Sequence, residues 1–93
     1  MVEIEKLIDA ALKEKRLIIG RDRTVKKLKL GKLEKVILAS NTPEEIISEI
    51  KYLSSLTNTE VIEFEGDNKE LGALCRKPFL VAVIGIEKKQ KGE

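Results

Sequence analysis

Basic side chains gather in this chain where a short apolar run ends at a glycine. After Gly20 come Arg21, Arg23, Lys26, Lys27 and Lys29, of which Arg23, Lys26, Lys27 and Lys29 form the outer face of a predicted helix. Guanidinium and ammonium groups bind phosphate oxygens, and the amides at a helix start donate hydrogen bonds to phosphates or base edges. The chemistry predicted for this segment is therefore binding of a nucleic acid rather than bond making.

The charges are divided between two parts of the chain, although the net charge is only +2. Between Leu12 and Lys35 there are ten basic and three acidic residues, a local balance of +7. Between Asn41 and Glu70 the balance is −6, with eight acids against Lys51 and Lys69. This pattern predicts a dipolar molecule with one face that attracts a polyanion and another that repels it.

Each of these signals also has a simpler explanation. A Lys-rich helix face is often only solvated, and Asn41 before Thr-Pro-Glu is an ordinary helix cap. The glycines of the segment from Gly66 to Gly72, and its Asp67-Asn68 pair, suit a turn and a cap. Two features favour binding of a nucleic acid. The basic residues cluster where a strand turns into a helix, and the backbone amides at that helix start can donate hydrogen bonds to phosphate. The scarcity of aromatic residues, 3% of the chain, favours structured RNA over single strands bound by stacking.

The sequence offers little for catalysis. It has no His, and its single Cys cannot form a disulfide or a structural zinc site. Its glycine-containing segments do not match the spacing of nucleotide-binding loops. Cys75 is expected to be a small core residue because no His can activate it. We therefore expect no enzyme activity, no metal and no cofactor.

The length of 93 residues suits one domain, residues 1–93, with a flexible charged tail at 88–93. The beginning of the chain lacks the apolar core of a signal peptide, and no apolar run approaches the roughly 20 residues of a membrane helix. The sequence thus predicts a cytoplasmic protein that does not insert into membranes.

Hydrophobic periodicity predicts four helices alternating with four strands. Gly31 is expected to end the basic helix in a left-handed conformation, and Asn41 or Thr42 to cap a third helix with Pro43 in its first turn. Leu30 and Leu56 are expected to face inward. The predicted strands are Leu17 to Ile19, Val36 to Ala39, Val61 to Phe64 and Phe79 to Ile86; the helices are an N-terminal one that ends near Lys13 to Arg16, the basic helix, one over Pro43 to Leu56 and one from Asp67 or Asn68 through Cys75.

This order predicts an α/β fold: a three-layer α-β-α sandwich whose four-stranded mixed sheet is covered by helices on both faces. Continuous apolar runs indicate that Leu17 to Ile19 and Val36 to Ala39 are buried strands. A fold of this kind is only a scaffold, so the function must come from its loops.

The chain resembles the archaeal and eukaryotic large-subunit ribosomal proteins of the L-thirty-e type, within the kink-turn-binding family that includes the L-seven-Ae proteins. The resemblance covers nearly the whole chain. It is carried by Gly20 with Thr24-Val25-Lys26, Gly31-Lys32, Ala39-Ser40-Asn41-Thr42-Pro43, Glu49-Ile50-Lys51-Tyr52, Phe64 through Gly72, and Lys77-Pro78-Phe79.

The resemblance implies a non-catalytic protein that holds a sharply bent RNA with tandem sheared G·A pairs. The start of the second helix would enter the widened major groove, Asn41 would lie nearby, and the loop from Leu74 to Phe79 would pack against extruded bases. The RNA-binding residues implied are Gly20, Arg21, Asp22, Arg23, Thr24, Lys26, Lys27, Asn41, Glu70, Leu71, Gly72, Arg76 and Lys77.

Two residues depart from the family pattern. Asp22 stands where a Lys or an Asn is usual in the family. Its carboxylate would repel phosphate, yet it could accept a hydrogen bond from a guanine amino group. Arg76 stands where a Gly is usual, which adds charge and hinders close backbone approach.

The sequence predicts a ribosome-associated constituent of the large subunit, monomeric when free and in contact with ribosomal RNA and neighbouring ribosomal proteins. Two alternatives stay open: a kink-turn binder of an RNA-processing particle, and a protein-interaction module whose acidic third helix binds a basic partner.

Overall fold

Helices and strands alternate through the part of the chain that the structure, a computed structural model, describes, which is residues 2–88. Their order confirms the alternation predicted from hydrophobic periodicity. The elements are α1 Val2–Lys13, β1 Leu17–Ile19, α2 Arg21–Lys29, β2 Leu33–Leu38, α3 Glu44–Thr57, β3 Glu60–Glu63, α4 Asn68–Leu74 and β4 Val83–Glu87.

The strands form one mixed sheet in the spatial order β1-β4-β2-β3. Strand β4 is antiparallel to both β1 and β2, whereas β2 and β3 are parallel. Strands β1, β2 and β3 therefore point the same way, and their carboxyl ends lie beside the amino end of β4. We call this side of the sheet the carboxyl edge; open α/β sheets bind their ligands at such an edge.

Two separate hydrophobic clusters show that helices cover both faces of the sheet. Alternate residues of β2 enter different clusters: Val36 and Leu38 pack with Leu28 of α2 and Ile50 of α3, whereas Ile37 enters the other. In that other cluster Ile37 and Ala39 pack with Ile8 and Ala11 of α1, with Leu71 of α4 and with Cys75, which follows α4. The predicted three-layer sandwich is confirmed.

Three burial predictions were wrong. Strand β1 lies at an edge of the sheet, and all three of its residues are half-buried rather than buried. Leu30 lies just beyond the end of α2 and is 59% exposed. Leu56, on the outer side of α3, is 65% exposed. In all three cases an apolar residue type was correct for the element but did not fix which side faces the core.

The predicted boundaries were wrong at three places. Strand β2 begins at Leu33 rather than at Val36. Strand β4 begins at Val83 rather than at Phe79, because the chain bends after Pro78 and leaves Phe79 and Leu80 exposed. Helix α3 begins at Glu44 with Pro43 at its N-cap, and neither Asn41 nor Thr42 caps it. Thr42 instead donates its hydroxyl to the carbonyl of Ala39 at 2.7 Å.

Other local predictions are confirmed. Gly31 follows α2 with φ +70°. Asp67 caps α4 by accepting hydrogen bonds from the amides of Lys69 and Glu70, each 3.0 Å long. Of the predicted tail, Lys88 donates its amide to the carbonyl of Lys32 at 3.0 Å, and residues 89–93 lie outside the described residues. Between residues 2 and 88, no helix is long and apolar enough to cross a membrane.

Candidate nucleic-acid interface

Backbone hydrogen bonds hold four loops side by side at the carboxyl edge. The amide of Gly20 donates to the carbonyl of Val83 at 3.0 Å, and the amide of Ala39 donates to that of Ala82 at 2.8 Å. The amide of Ser40 donates to the carbonyl of Gly66 at 2.9 Å. The segments that the sequence singled out, around Gly20, Asn41, Gly66 to Gly72 and Lys77, therefore lie at the same side of the molecule.

Helix α2 begins at this edge without a side-chain cap from any described residue. Its N-cap is Gly20, at φ 105° and ψ 149°, a conformation that only glycine adopts readily. A Cβ placed on Gly20 would have no atom within 4 Å, so the space above it is open. The first amides of α2 thus face an accessible surface with the positive end of the helix dipole behind them.

Four of the five basic side chains of α2 are predicted site residues, and they differ in what they contact. Arg21 donates to the Glu49 carboxylate of α3 at 2.8 Å, which fixes it beside the helix start. Lys27 pairs with Glu87 at the end of β4, 3.2 Å away. Arg23 and Lys26 are exposed and form no ion pair within residues 2–88, so they can approach a ligand at no electrostatic cost.

Two further predicted residues of α2 lie on opposite sides of the helix. The Asp22 side chain is 95% exposed, with its carboxylate 3.4 Å from Arg21. Thr24 is fully buried against the sheet, and its hydroxyl has no hydrogen-bond partner within the described chain. Asp22 can reach a bound molecule; Thr24 can only support the helix.

A groove of about 470 Å³ separates the start of α2 from the loop before β4. One wall carries Arg21 and Arg23, and the other carries Lys77, Phe79 and Leu80. A second hollow of about 390 Å³ continues past Lys77 and Phe79 toward α4. Phe79 and Leu80 are 56% and 64% exposed, so apolar surface lies directly between basic groups.

Helix α4 holds this loop in place. The Lys77 amide donates to the carbonyl of Gly72 at 3.0 Å. A Cβ on Gly72 would collide with the carbonyl oxygen of Phe79, so only glycine permits this packing. Leu71 is fully buried, and Glu70 is exposed with its side chain lying over Gly66. Of the three predicted residues of α4, Glu70 alone offers its side chain to a ligand.

Asn41 pairs with Asn68 at the amino end of α4. Its Nδ2 donates to the Asn68 Oδ1 at 3.1 Å, and its Oδ1 accepts from the Asn68 amide at 3.0 Å. Asn41 remains exposed, so the rest of its side-chain amide is available at the carboxyl edge.

Arg76 sits in a strained position at the C-terminal side of α4. Its φ is +60°, in the left-handed region that favours glycine. Its guanidinium donates to the Asp9 carboxylate of α1 at 2.9 Å, while 72% of the side chain stays exposed. Arg76 thus lies further from the groove than Lys77, which lines it.

The Cys75 thiol and possible metal ligands are the remaining candidates for chemistry. Burial raises the pKa of the Cys75 thiol to about 11, a rise that the positive charge of Lys77 partly offsets. The thiol is therefore protonated and unreactive at neutral pH. No cluster of His, Cys, Asp and Glu suited to a metal ion occurs in residues 2–88.

Sequence reasoning missed Leu80 and Asn68. Leu80 was assigned to the interior of a strand, although Pro78 just before the apolar run signals a bend. Asn68 was considered only as a helix cap, because the pairing of two asparagines 27 positions apart has no local sequence signal.

Comparison with protein families gives a match over residues 2–93 to the family described as "Ribosomal protein L7Ae/L30e/S12e/Gadd45 family". Among relatives, the chain is 41% identical to "Large ribosomal subunit protein eL30" of Archaeoglobus fulgidus, over 92% of this chain and 95% of the relative. The protein of that name from Methanothermobacter thermautotrophicus is 38% identical over 92% and 88%. These relatives are named as ribosomal proteins and not as enzymes, which confirms both the resemblance and the expectation of a non-catalytic protein.

Solved structures share the fold. The "Giardia lamblia 15.5kD RNA binding protein" superimposes with a TM-score of 0.85, at 22% identity over 96% of this chain and 74% of that one. A protein of unknown function from Bacillus halodurans superimposes with a TM-score of 0.81, at 23% identity over 90% and 83%.

Proposed function

The chain belongs to the ribosomal protein L7Ae/L30e/S12e/Gadd45 family, and we propose that it is a large-subunit ribosomal protein that binds a kink-turn-like bent RNA at the carboxyl edge of its sheet. The observation that carries this proposal is the groove of about 470 Å³, in which basic and apolar groups face the uncapped start of α2. In this role the protein is ribosome-associated and cytoplasmic, and its partners are ribosomal RNA and neighbouring ribosomal proteins.

The two walls of the groove suit the two parts of a bent RNA. Arg23 and Lys77 in the groove, and Lys26 further along α2, supply positive charge for phosphates. The first amides of α2 supply donors for phosphate or base edges. Phe79 and Leu80 offer apolar surface to bases that have left the stack, because unstacked bases pack on such side chains. Straight duplex RNA presents neither extruded bases nor a major groove wide enough for a helix end.

Asp22 gives the site a means of discrimination. Its carboxylate repels phosphate, so it weakens contact with RNA of any sequence. A guanine amino group at the same place would donate to it and offset that repulsion. We expect Asp22 to select RNA that presents a guanine edge at the start of α2.

Binding does not require a chemical step. A flexible RNA that visits the bent form is held in it because the protein contacts the bent form better, which shifts the population.

The test is binding to a kink-turn RNA and to the same RNA with its G·A pairs replaced, each at two salt concentrations. We expect strong preference for the intact RNA. With roughly four phosphates neutralised, log affinity should fall by about 3 to 4 for a tenfold rise in salt. Equal weak binding to both RNAs would refute the proposal.

Matched variants of α2 sharpen this test. Arg23→Ala removes an unpaired charge near the start of the helix, and Lys26→Ala removes one a turn further along; each should lower affinity and reduce the salt dependence. Lys29→Ala removes the same charge at the other end of α2 and should leave both nearly unchanged. A uniform effect of the three would indicate nonspecific attraction to the basic helix.

The same RNA site would serve a protein of an RNA-processing particle. Co-sedimentation distinguishes this alternative: a ribosomal protein travels with intact large subunits, whereas a processing factor travels with small RNAs only.

A further inference from the structure

Asn68 makes three hydrogen bonds that join separate segments of the carboxyl edge. Two link it to Asn41, at 3.0 Å and 3.1 Å. The third joins its carbonyl to the amide of Val81 at 3.0 Å, in the loop that carries Phe79 and Leu80. The residue that starts α4 therefore contacts both the loop after β2 and the loop before β4.

The pairing determines which way the amide of Asn41 is turned. The backbone amide of Asn68 can only donate, so the atom of Asn41 that faces it must be the carbonyl oxygen. The Nδ2 of Asn41 then donates one hydrogen to Asn68 and keeps the other. Asn41 thus presents one N–H donor and one unused lone pair in a fixed direction.

A side chain fixed in this way has little rotamer freedom left to lose on binding. Freezing a free side chain at an interface has an entropic cost, which preorganisation avoids. The geometry of a binding group is also more exact when a second residue holds it.

We propose that Asn68 is a positioning residue, which orients the Asn41 amide for hydrogen bonding to the bent RNA. This inference rests on the function proposed above and assigns a role to a residue outside the basic groove. Asn68 itself is half-buried and acts through Asn41.

A double-mutant cycle on RNA affinity tests this role. Asn68→Ala removes the acceptor for Asn41 Nδ2, and we expect it to weaken kink-turn binding roughly three- to tenfold. Asn41→Ala should weaken binding at least as much. In the Asn41→Ala background, Asn68→Ala should have no further effect, because the group it positions is already gone. Additive losses would overturn the proposal.

Asp67→Ala is the matched control for loosening of α4. It removes both cap bonds at the same helix start but leaves the Asn41 pair intact. It also removes a negative charge, which by itself favours RNA. If Asp67→Ala weakens binding as much as Asn68→Ala at equal stability, the effect is that of a loosened helix and the proposal fails.

An NMR measurement on the free protein gives a readout that does not depend on RNA. Asn68→Ala should shift the side-chain amide resonances of Asn41, and Asp67→Ala should not.

Failure of the proposed function can be distinguished from failure of the positioning role. If the proposed function is wrong, the unmodified protein shows no preference for kink-turn RNA. Preference that survives Asn68→Ala unchanged refutes only the positioning role.

Discussion

At the scale of single residues, Arg76 combines backbone strain with an ion pair of opposite effect. A left-handed conformation destabilises a non-glycine residue by roughly 1–2 kcal/mol. An exposed ion pair such as that between Arg76 and Asp9 stabilises the fold by about 0–1 kcal/mol. Arg76→Gly also raises the entropy of the unfolded chain. We expect Arg76→Gly to raise the free energy of unfolding by about 0.5 kcal/mol, measured by urea denaturation.

Asn58 provides the control for that prediction. It ends α3 with φ 54°, but Asn tolerates this region better than Arg does. Asn58→Gly should therefore stabilise less than Arg76→Gly. A loss of stability in Arg76→Gly would show that the pair with Asp9 outweighs the strain.

The buried thiol of Cys75 makes stability depend on pH in the alkaline range. Its pKa is raised to about 11 in the folded protein from 9.0, so the unfolded chain loses this proton first as pH rises. The unfolded state then binds fewer protons, and the free energy of unfolding falls with pH. The contribution is fully present below pH 9 and amounts to about 2–3 kcal/mol lost by pH 11.

Urea denaturation across this pH range measures the effect, with Cys75→Ala as the reference. Lysines titrate in both proteins, so the difference between the two curves isolates the thiol. Parallel curves for the two proteins would contradict the prediction.

At the scale of elements, the sequence determined element type and order far better than it determined the site. Periodicity and glycines located all the helices and strands of the described chain, because burial of an apolar stripe depends on local spacing. The start of β4 was missed because Phe79 and Leu80 have strand-like side chains but face outward. Nothing local reveals that α4 and α2 leave room for a groove there.

The cap of α3 shows the same limit. Asn41 has the right type and position for a cap, yet its side chain bonds Asn68 of α4 instead. A tertiary partner 27 positions away overrides a local preference that the sequence states clearly. The candidate site is thus predictable as a set of segments, from charge and resemblance, but not as a set of contacts.

Helix α4 sets the position of the loop that carries Phe79, and Gly72 is the point of contact. Gly72→Ala forces the Phe79 carbonyl to move, so we expect a loss of about 1–3 kcal/mol in unfolding free energy and a marked loss of RNA affinity. Urea denaturation and RNA titration measure the two effects.

Gly31→Ala is the corresponding control at the opposite end of the molecule. It strains a left-handed glycine, at roughly 1–2 kcal/mol, but a Cβ there meets no atom within 4 Å. RNA affinity should persist in Gly31→Ala at comparable stability. Equal loss of affinity in the two variants would show that stability, not loop position, governs binding.

At the scale of the whole molecule, the acidic side is less able to hold a basic partner than its charge suggests. Of the eight acids between Asn41 and Glu70, three are already paired: Glu49 with Arg21, Glu60 with Lys35 and Glu63 with Lys51. The bond from Lys35 to Glu60 raises the pKa of Lys35, so that pair persists at neutral pH. By contrast, Arg23 and Lys26 have no such partner within residues 2–88. Part of the acidic charge is therefore neutralised within the protein, whereas the charges of Arg23 and Lys26 remain available to a polyanion.

This difference predicts how charge reversal acts. Arg23→Glu with Lys26→Glu should abolish kink-turn binding, because it places two negative charges on the exposed side of α2 that we propose faces the phosphates. Lys29→Glu with Lys32→Glu changes the net charge by the same amount at the far end of the helix and should keep most of the affinity. RNA titration of both double variants, at matched salt, measures the contrast. If both lose affinity equally, attraction by the whole basic half governs binding; if neither does, α2 is not the RNA site and a protein partner becomes the better explanation for its charge.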